Sequence, residues 1–367
     1  MPEERDPKEA RLEAIRAEAE AAGQVEGAGV HAAGGPVPLP VGEELASSRG
    51  RSRSARQARS GQAQGPPLHA PETGAPATAG YRGRPVLKSP VWTWEVGLYF
   101  FVGGLAGMAA LLAMVNRLTG GDAELTRWAL ALAAGGAAVS PVLLILDLGR
   151  PLRFLNMLRV FKWRSAMSMG VWLLVGFSAC AVPAAALAWW PVATGGPPAA
   201  GGPAGLLTVL TIGAGFTGSL LATYTGVLLA ATVIPVWSSH RWLLPLHFGL
   251  AGLGSAAAAL ELLGFLTPEL HAIGIAVALV ETAVGARVEL RRRAVVDDPL
   301  HGGASGWTLR VAGALAGPGA LGLRLLGWLP AAAVAFLLGA LVSRYGWLMA
   351  GRASAEDPAA LFAAQAR

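Results

Sequence analysis

Leu143–Trp163 reads LLILDLGRPLRFLNMLRVFKW. An apolar run ends on Asp147, the Gly149-Arg150-Pro151 triplet stops a helix, and a segment follows that carries Arg150, Arg153, Arg159, Lys162 and, just beyond, Arg164. A carboxylate therefore stands where a membrane helix meets a strongly basic surface loop. Ionisable groups at such a boundary are costly and mark functional sites by default. The structural alternative is that Asp147 only pairs with Arg150 or caps the turn.

The rest of the sequence agrees with a membrane reading. Of 367 residues, 53% are hydrophobic and only 14% are charged, with the charges gathered between long apolar runs. That pattern predicts an all-α, polytopic transmembrane bundle, since a membrane β-barrel needs alternating polarity instead. The net charge of +6 lies in loops flanking the runs rather than in a stripe, so it points to membrane orientation and not to nucleic acid. Cys180 is the single cysteine, which excludes an internal disulfide and a cysteine-held iron–sulfur cluster within this protein.

Residues 1–88 are first Ala-rich and charged, then rich in Gly, Pro, Ser and Arg, a composition expected to form a disordered tail. The transmembrane domain is expected over 89–352 and a short polar tail over 353–367. Its spans begin near Trp92, Trp128, Ala166, Leu206, Leu243, Ala272 and Trp328. Residues 307–327 contain Arg310 and Arg324 in a Gly- and Pro-broken segment, which predicts an interfacial or re-entrant helix and leaves seven or eight spans. Gly103 and Gly107, and Gly218, Ala222 and Gly226, repeat every four residues and predict close helix contacts. Basic residues cluster on the N-terminal side, with Arg291 to Arg293, Arg310 and Arg324 counted there, while the other side holds only Arg117 and Arg127. The positive-inside rule then makes the N-terminus cytoplasmic, in the cell membrane.

Alternate threading puts Glu95, Tyr99, Asp147, Tyr224 and His247 in the N-terminal-side half, a layout suited to an amphipathic ligand whose polar head needs proton donors and acceptors. Glu261 and Glu281 are expected deeper, as a proton route or as packing groups. A membrane b-type haem uses two axial histidines at matched depth, and only His247 is clearly inside a span, so haem is not expected.

Three runs carry a family resemblance: WTWEVGLYFFVGGLAGMAALL from Trp92, LDLGRPLRFLNMLRVFKWRSAMSMGVW from Leu146, and TGSLLATYTGVLLAATVIPVW from Thr217. In that order the sequence resembles the NrfD-type family of polysulfide reductase membrane subunits. The resemblance implies a quinone-binding membrane anchor, menaquinone foremost, that exchanges electrons with an iron–sulfur subunit and through it a molybdopterin catalytic subunit. It matches Asp147 and Arg150 to the family's polar turn and Tyr224 to its quinone-binding tyrosine. Glu95, Tyr99 and His247 rest on the depth argument. The competing readings are an ion-coupled secondary transporter using Glu261 and Glu281, and a passive anchor.

Overall fold

The computed structural model describes residues 87–90, 92–148, 152–196, 201–291 and 294–365. Contacts divide the protein into Met1–Gly80 and Tyr81–Arg367, and all described residues belong to the second unit. The expected disordered tail and Arg150 lie outside the described residues, apart from the last two residues of the tail.

Among the described residues the fold is all helical. The long helices are α1 (Trp94–Leu118), α2 (Ala123–Asp147), α4 (Ala166–Thr194), α5 (Gly202–Ala230), α7 (Leu243–Leu262), α8 (Pro268–Leu290) and α12 (Leu329–Glu356). Between them lie the short α3 (Arg153–Arg159), α6 (Pro235–Ser239) and α9 (Ala294–His301), then α10 (Gly303–Ala314), a π turn (Leu315–Gly319) and α11 (Ala320–Leu325). α13 (Pro358–Gln365) follows α12. Six of the long helices, all but α8, are long and apolar enough to cross a membrane.

Helices α1, α2, α4 and α5 form one four-helix group, each packed on its neighbours. α7, α8, α12 and the α10–α11 segment form a second, joined to the first where α1 meets α7 and α12 and where α5 meets α7. Small residues permit the closest crossings, as expected where lipid gives no hydrophobic drive and packing decides association. A Cβ on Gly107 would run into the Gly218 carbonyl, and one on Gly226 would strike the Leu244–Pro245 backbone. Gly252 meets Gly104 in the same way, its Cβ position 2.8 Å from that carbonyl oxygen. Both glycine repeats therefore seat helices.

The segment 307–327, expected as an interfacial or re-entrant helix, is helical as far as Leu325. Gly303–Leu325 runs as a nearly continuous helix, roughly 34 Å at 1.5 Å per residue, and packs along α12 and α8. Its arginines made it look unfit to span, but each is paired. Arg310 meets Glu289 at the basic side, with Nε 2.6 Å from Oε1. Arg324 meets Glu261 near the far end of α7. Arg324 thus belongs to the side opposite the one on which the sequence count put it. Pro318 sits in the π turn, where its missing N–H breaks the regular hydrogen-bond ladder.

The basic loop contains the helix α3, and the C-terminal tail is helical, with Ala360 and Leu361 buried. α13 packs against α9, because its Ala and Leu residues supply an apolar face that the polar flanks had obscured.

Candidate functional site

Two polar clusters occupy the basic-side half, and only one of them lines a cavity with its expected chemistry. The first is built where α2 ends beside the start of α1. Thr93 is the N-cap of α1, and its backbone N–H donates to Asp147 Oδ1 at 3.3 Å while its hydroxyl reaches the same oxygen at 3.0 Å. The hydroxyl also closely contacts Glu95. Asp147 therefore caps the N-terminus of a neighbouring helix, where the helix dipole favours a carboxylate.

Tyr99 is 3% exposed one turn below Glu95 and lies within electrostatic range of Tyr224. The Tyr224 hydroxyl makes a close hydrogen bond to the Ala166 carbonyl at the start of α4, and its ring fills the space that Gly170 leaves open. α5 ends at Ala230, so Tyr224 stands roughly 9 Å from that end at 1.5 Å per residue.

The second cluster joins α7, α8 and α12. His247 Nδ1 lies 3.2 Å from Glu281 Oε1, with both side chains about 5% exposed. His247 Nε2 is 3.0 Å from the Ser343 hydroxyl. The Ser343 hydroxyl can donate to or accept from Nε2, according to which ring nitrogen of the imidazole carries the proton. The Nδ1–Oε1 approach is off line for a hydrogen bond, and both atoms are buried without a hydrogen-bond partner. Such groups are costly to leave unmet.

The side chains of His247, Glu281 and Ser343 are among those lining a cavity of about 320 Å³ between α8 and α10. Val284, Leu309 and Trp347 give it apolar walls, and the exposed Ala286, Ala314 and Arg310 form its outer rim. Arg344 is 1% exposed, donates from Nη2 to the Phe248 carbonyl at 3.0 Å and lies 3.8 Å over the Phe248 ring. It is within electrostatic range of Glu281. A buried cation and a buried carboxylate at such range offset one another's charge, so neither stands alone between the helices.

The sequence placed Glu281 deeper than His247, yet the two are in contact. Depth counted from helix ends assumed that adjacent spans end flush. Here α8 runs nine residues past Glu281, to Leu290, while α7 begins four residues before His247. Glu261 is not near this pair in any shared contact. Its carboxylate takes a bidentate bond from Arg324, with both N···O distances 2.7 Å and both side chains 1% exposed.

Of the sequence candidates, Asp147 and Glu95 are joined through Thr93, Tyr99 and Tyr224 lie near each other, and His247 stands in the other cluster with Glu281. An aromatic row links the two clusters, with ring centroids 5.7 Å apart for Tyr99–Phe100, 6.0 Å for Phe100–Phe248 and 5.7 Å for Phe248–His247. Ser343, Arg344 and Trp347 were missed. The available signal was an arginine inside the apolar helix that begins LPAAAVAFLLGALVSRYGW, which marks a functional candidate for the same reason as an intramembrane acid.

The family described as polysulphide reductase, NrfD, matches residues 86–284, more than half of the protein. This chain belongs to the NrfD family. The protein called NrfD in Escherichia coli (strain K12) is 32% identical over 91 residues, covering 23% of the present sequence and 29% of that protein. The C subunit of polysulfide reductase from Wolinella succinogenes is 32% identical over 94 residues, covering 24% of the present sequence and 29% of that subunit. The matched stretch thus spans under a third of the length of either relative. The NrfD match holds α1 to α7 and most of α8, so the His247–Glu281 pair lies within it. The walls supplied by α10 and α12 lie beyond it.

Proposed function

We propose that this NrfD-family membrane protein is the quinone-reacting subunit of a multisubunit oxidoreductase, with the quinone head in the His247–Glu281 cavity. The observation that carries the reading is that cavity: an apolar slot of about 320 Å³ with an imidazole, a carboxylate and a hydroxyl in its lining. The size suits a small aromatic head, and a few convergent polar groups in an apolar pocket are the usual make-up of a ligand site. The His247 imidazole can donate to a quinone carbonyl oxygen, and the Glu281 carboxylate can accept from a quinol hydroxyl.

A bound quinone supplies chemistry in which two electrons move with two protons. The protein's own groups handle the protons: His247 and Glu281 hold or release one at the cavity lining, Ser343 orients the imidazole, and Arg344 balances the Glu281 charge between turnovers. Menaquinone is the quinone proposed. Asp147, Glu95, Tyr99 and Tyr224 are then positioning residues for the neighbouring helix ends. Glu261 is held in a complete ion pair, which weakens its part in any proton route and the ion-coupled transporter reading with it.

Electrons reach the cavity from a partner, which we take to be an iron–sulfur subunit linked to a molybdopterin catalytic subunit. The proposed docking surface is the basic loop, placed on the cytoplasmic side of the cell membrane together with the N-terminus. Besides its basic residues the loop exposes Leu152, Phe161 and Trp163, at 78%, 56% and 68%, a mixture of charge and apolar anchors suited to a protein partner. The test is purification in mild detergent. Bound menaquinone and a co-purifying iron–sulfur protein are expected with the wild type. Arg159→Gln with Lys162→Gln should reduce partner retention several-fold, more at high salt, and keep the quinone. Absence of quinone from an otherwise folded, active complex would end the reading, and unchanged partner retention would remove the loop from it.

A further inference from the structure

On the face opposite the basic loop, the ends of α1, α2, α4 and α5 surround a cavity of about 290 Å³. Arg117 and Arg127 both line it, with Thr126 between them at the first turn of α2 and Leu187, Val192 and Leu207 as an apolar wall. These are the two arginines that the sequence leaves in the short links of that side, where basic residues are otherwise scarce. They converge on a single space.

Neither arginine has a carboxylate partner among the described residues. Arg117 is held by neutral groups, its Nε donating to the Thr208 hydroxyl at 2.9 Å and one Nη to the Ala204 carbonyl at 3.0 Å. Arg127 has its Nε buried without any partner. The nearby acids are turned away: Asp122 caps α2 by accepting from Glu124 N at 2.9 Å, and Asp122 and Glu124 are exposed and do not line the cavity. Trp128 and Trp189 pack edge to face beside Arg127, with Trp189 Nε1 donating to the Arg127 carbonyl at 3.1 Å. Tryptophans at a helix end suit the headgroup level of a bilayer.

We propose that this cavity binds a phosphate-type oxyanion, with an anionic lipid headgroup as the source that its apolar wall favours. Two guanidinium groups supply charge-assisted donors in a fixed fork geometry, the positive end of α2 adds to the field, and the Leu187–Leu207 wall takes the start of an acyl group. The site is separate from the quinone cavity and lies at the other end of the bundle.

The experiment uses the full-length protein in detergent after delipidation. Phosphatidylglycerol, phosphatidylcholine and inorganic phosphate are added separately at matched ionic strength, and bound lipid by native mass spectrometry and the thermal midpoint are read. Phosphatidylglycerol is expected to bind and stabilise preferentially, with affinity falling roughly tenfold in Arg127→Gln, which gives up one charged donor. Arg127 Nε makes no hydrogen bond that the substitution would break, so folding is expected to persist, and Arg127→Lys should recover part of the affinity. Arg352→Gln, which removes one exposed charge near the far end of α12, is expected to change it by less than about twofold, its distance exceeding the screening length. An equal effect of inorganic phosphate that Arg127→Gln abolishes would keep the oxyanion site and assign it to a soluble ion. Equal binding of the two lipids, or a phosphatidylglycerol preference unchanged in Arg127→Gln, would overturn the proposal.

Discussion

Arg324→Gln is expected to destabilise the protein by about 3–5 kcal/mol, the usual cost of removing one partner of a buried ion pair. The guanidinium gives Glu261 both of its hydrogen bonds, at 2.7 Å each, with both side chains 1% exposed. Without it the carboxylate is left charged and unmatched between helices, or must take up a proton. Gly274 is part of the same device, since a Cβ there would collide with the guanidinium. The loss arises from the abandoned charge rather than from the pair's net attraction, so Glu261→Gln combined with Arg324→Gln should recover most of it. Unfolding in mild detergent measures both. A single variant as stable as the wild type would show that the pair does not hold α11 to α7, and a double variant no better than the single would show that the loss is one of packing.

Glu281→Gln is expected to lower quinol-linked turnover by about a hundredfold or more, in the range ascribed to a positioned proton-transfer group. The amide keeps the size of the side chain but loses the charge that faces Arg344 and His247, and it cannot cycle a proton. Ser343→Ala, which removes only the hydroxyl orienting His247 Nε2, should cost less than about tenfold, the scale of one neutral hydrogen bond. Membranes with matched protein levels give the comparison. Wild-type turnover in Glu281→Gln would take the carboxylate out of the reaction and leave the cluster a packing role.

The fold was open to sequence reading where a physical rule acts on one helix at a time. Long apolar runs gave the spans, and the glycine repeats at Gly103–Gly107 and Gly218–Gly226 marked the faces that seat neighbouring helices. Properties that depend on two helices at once were hidden. Arg310 and Arg324 looked unmatched in an apolar segment until Glu289 and Glu261 were found opposite them. Glu281 looked deeper than His247 because helix ends were assumed level, whereas α8 overshoots α7. Asp147 stands at the end of α2, but its partner, Thr93, is 54 positions away in sequence. Family membership was legible from three runs of residues, while the cavity owes part of its wall to α10 and α12, outside the matched stretch.

The central claim is that the quinone head rests against His247 and Glu281. Photolabelling of the purified protein with an azido-quinone, followed by peptide mapping, tests it most directly. Cross-links are expected on the cavity walls, at residues 284–288 of α8 and near Leu309 of α10, and they should disappear when menaquinone competes and weaken in Glu281→Gln. Competable labelling confined to the region around Asp147, Tyr99 and Tyr224, with none on α8 or α10, would contradict it.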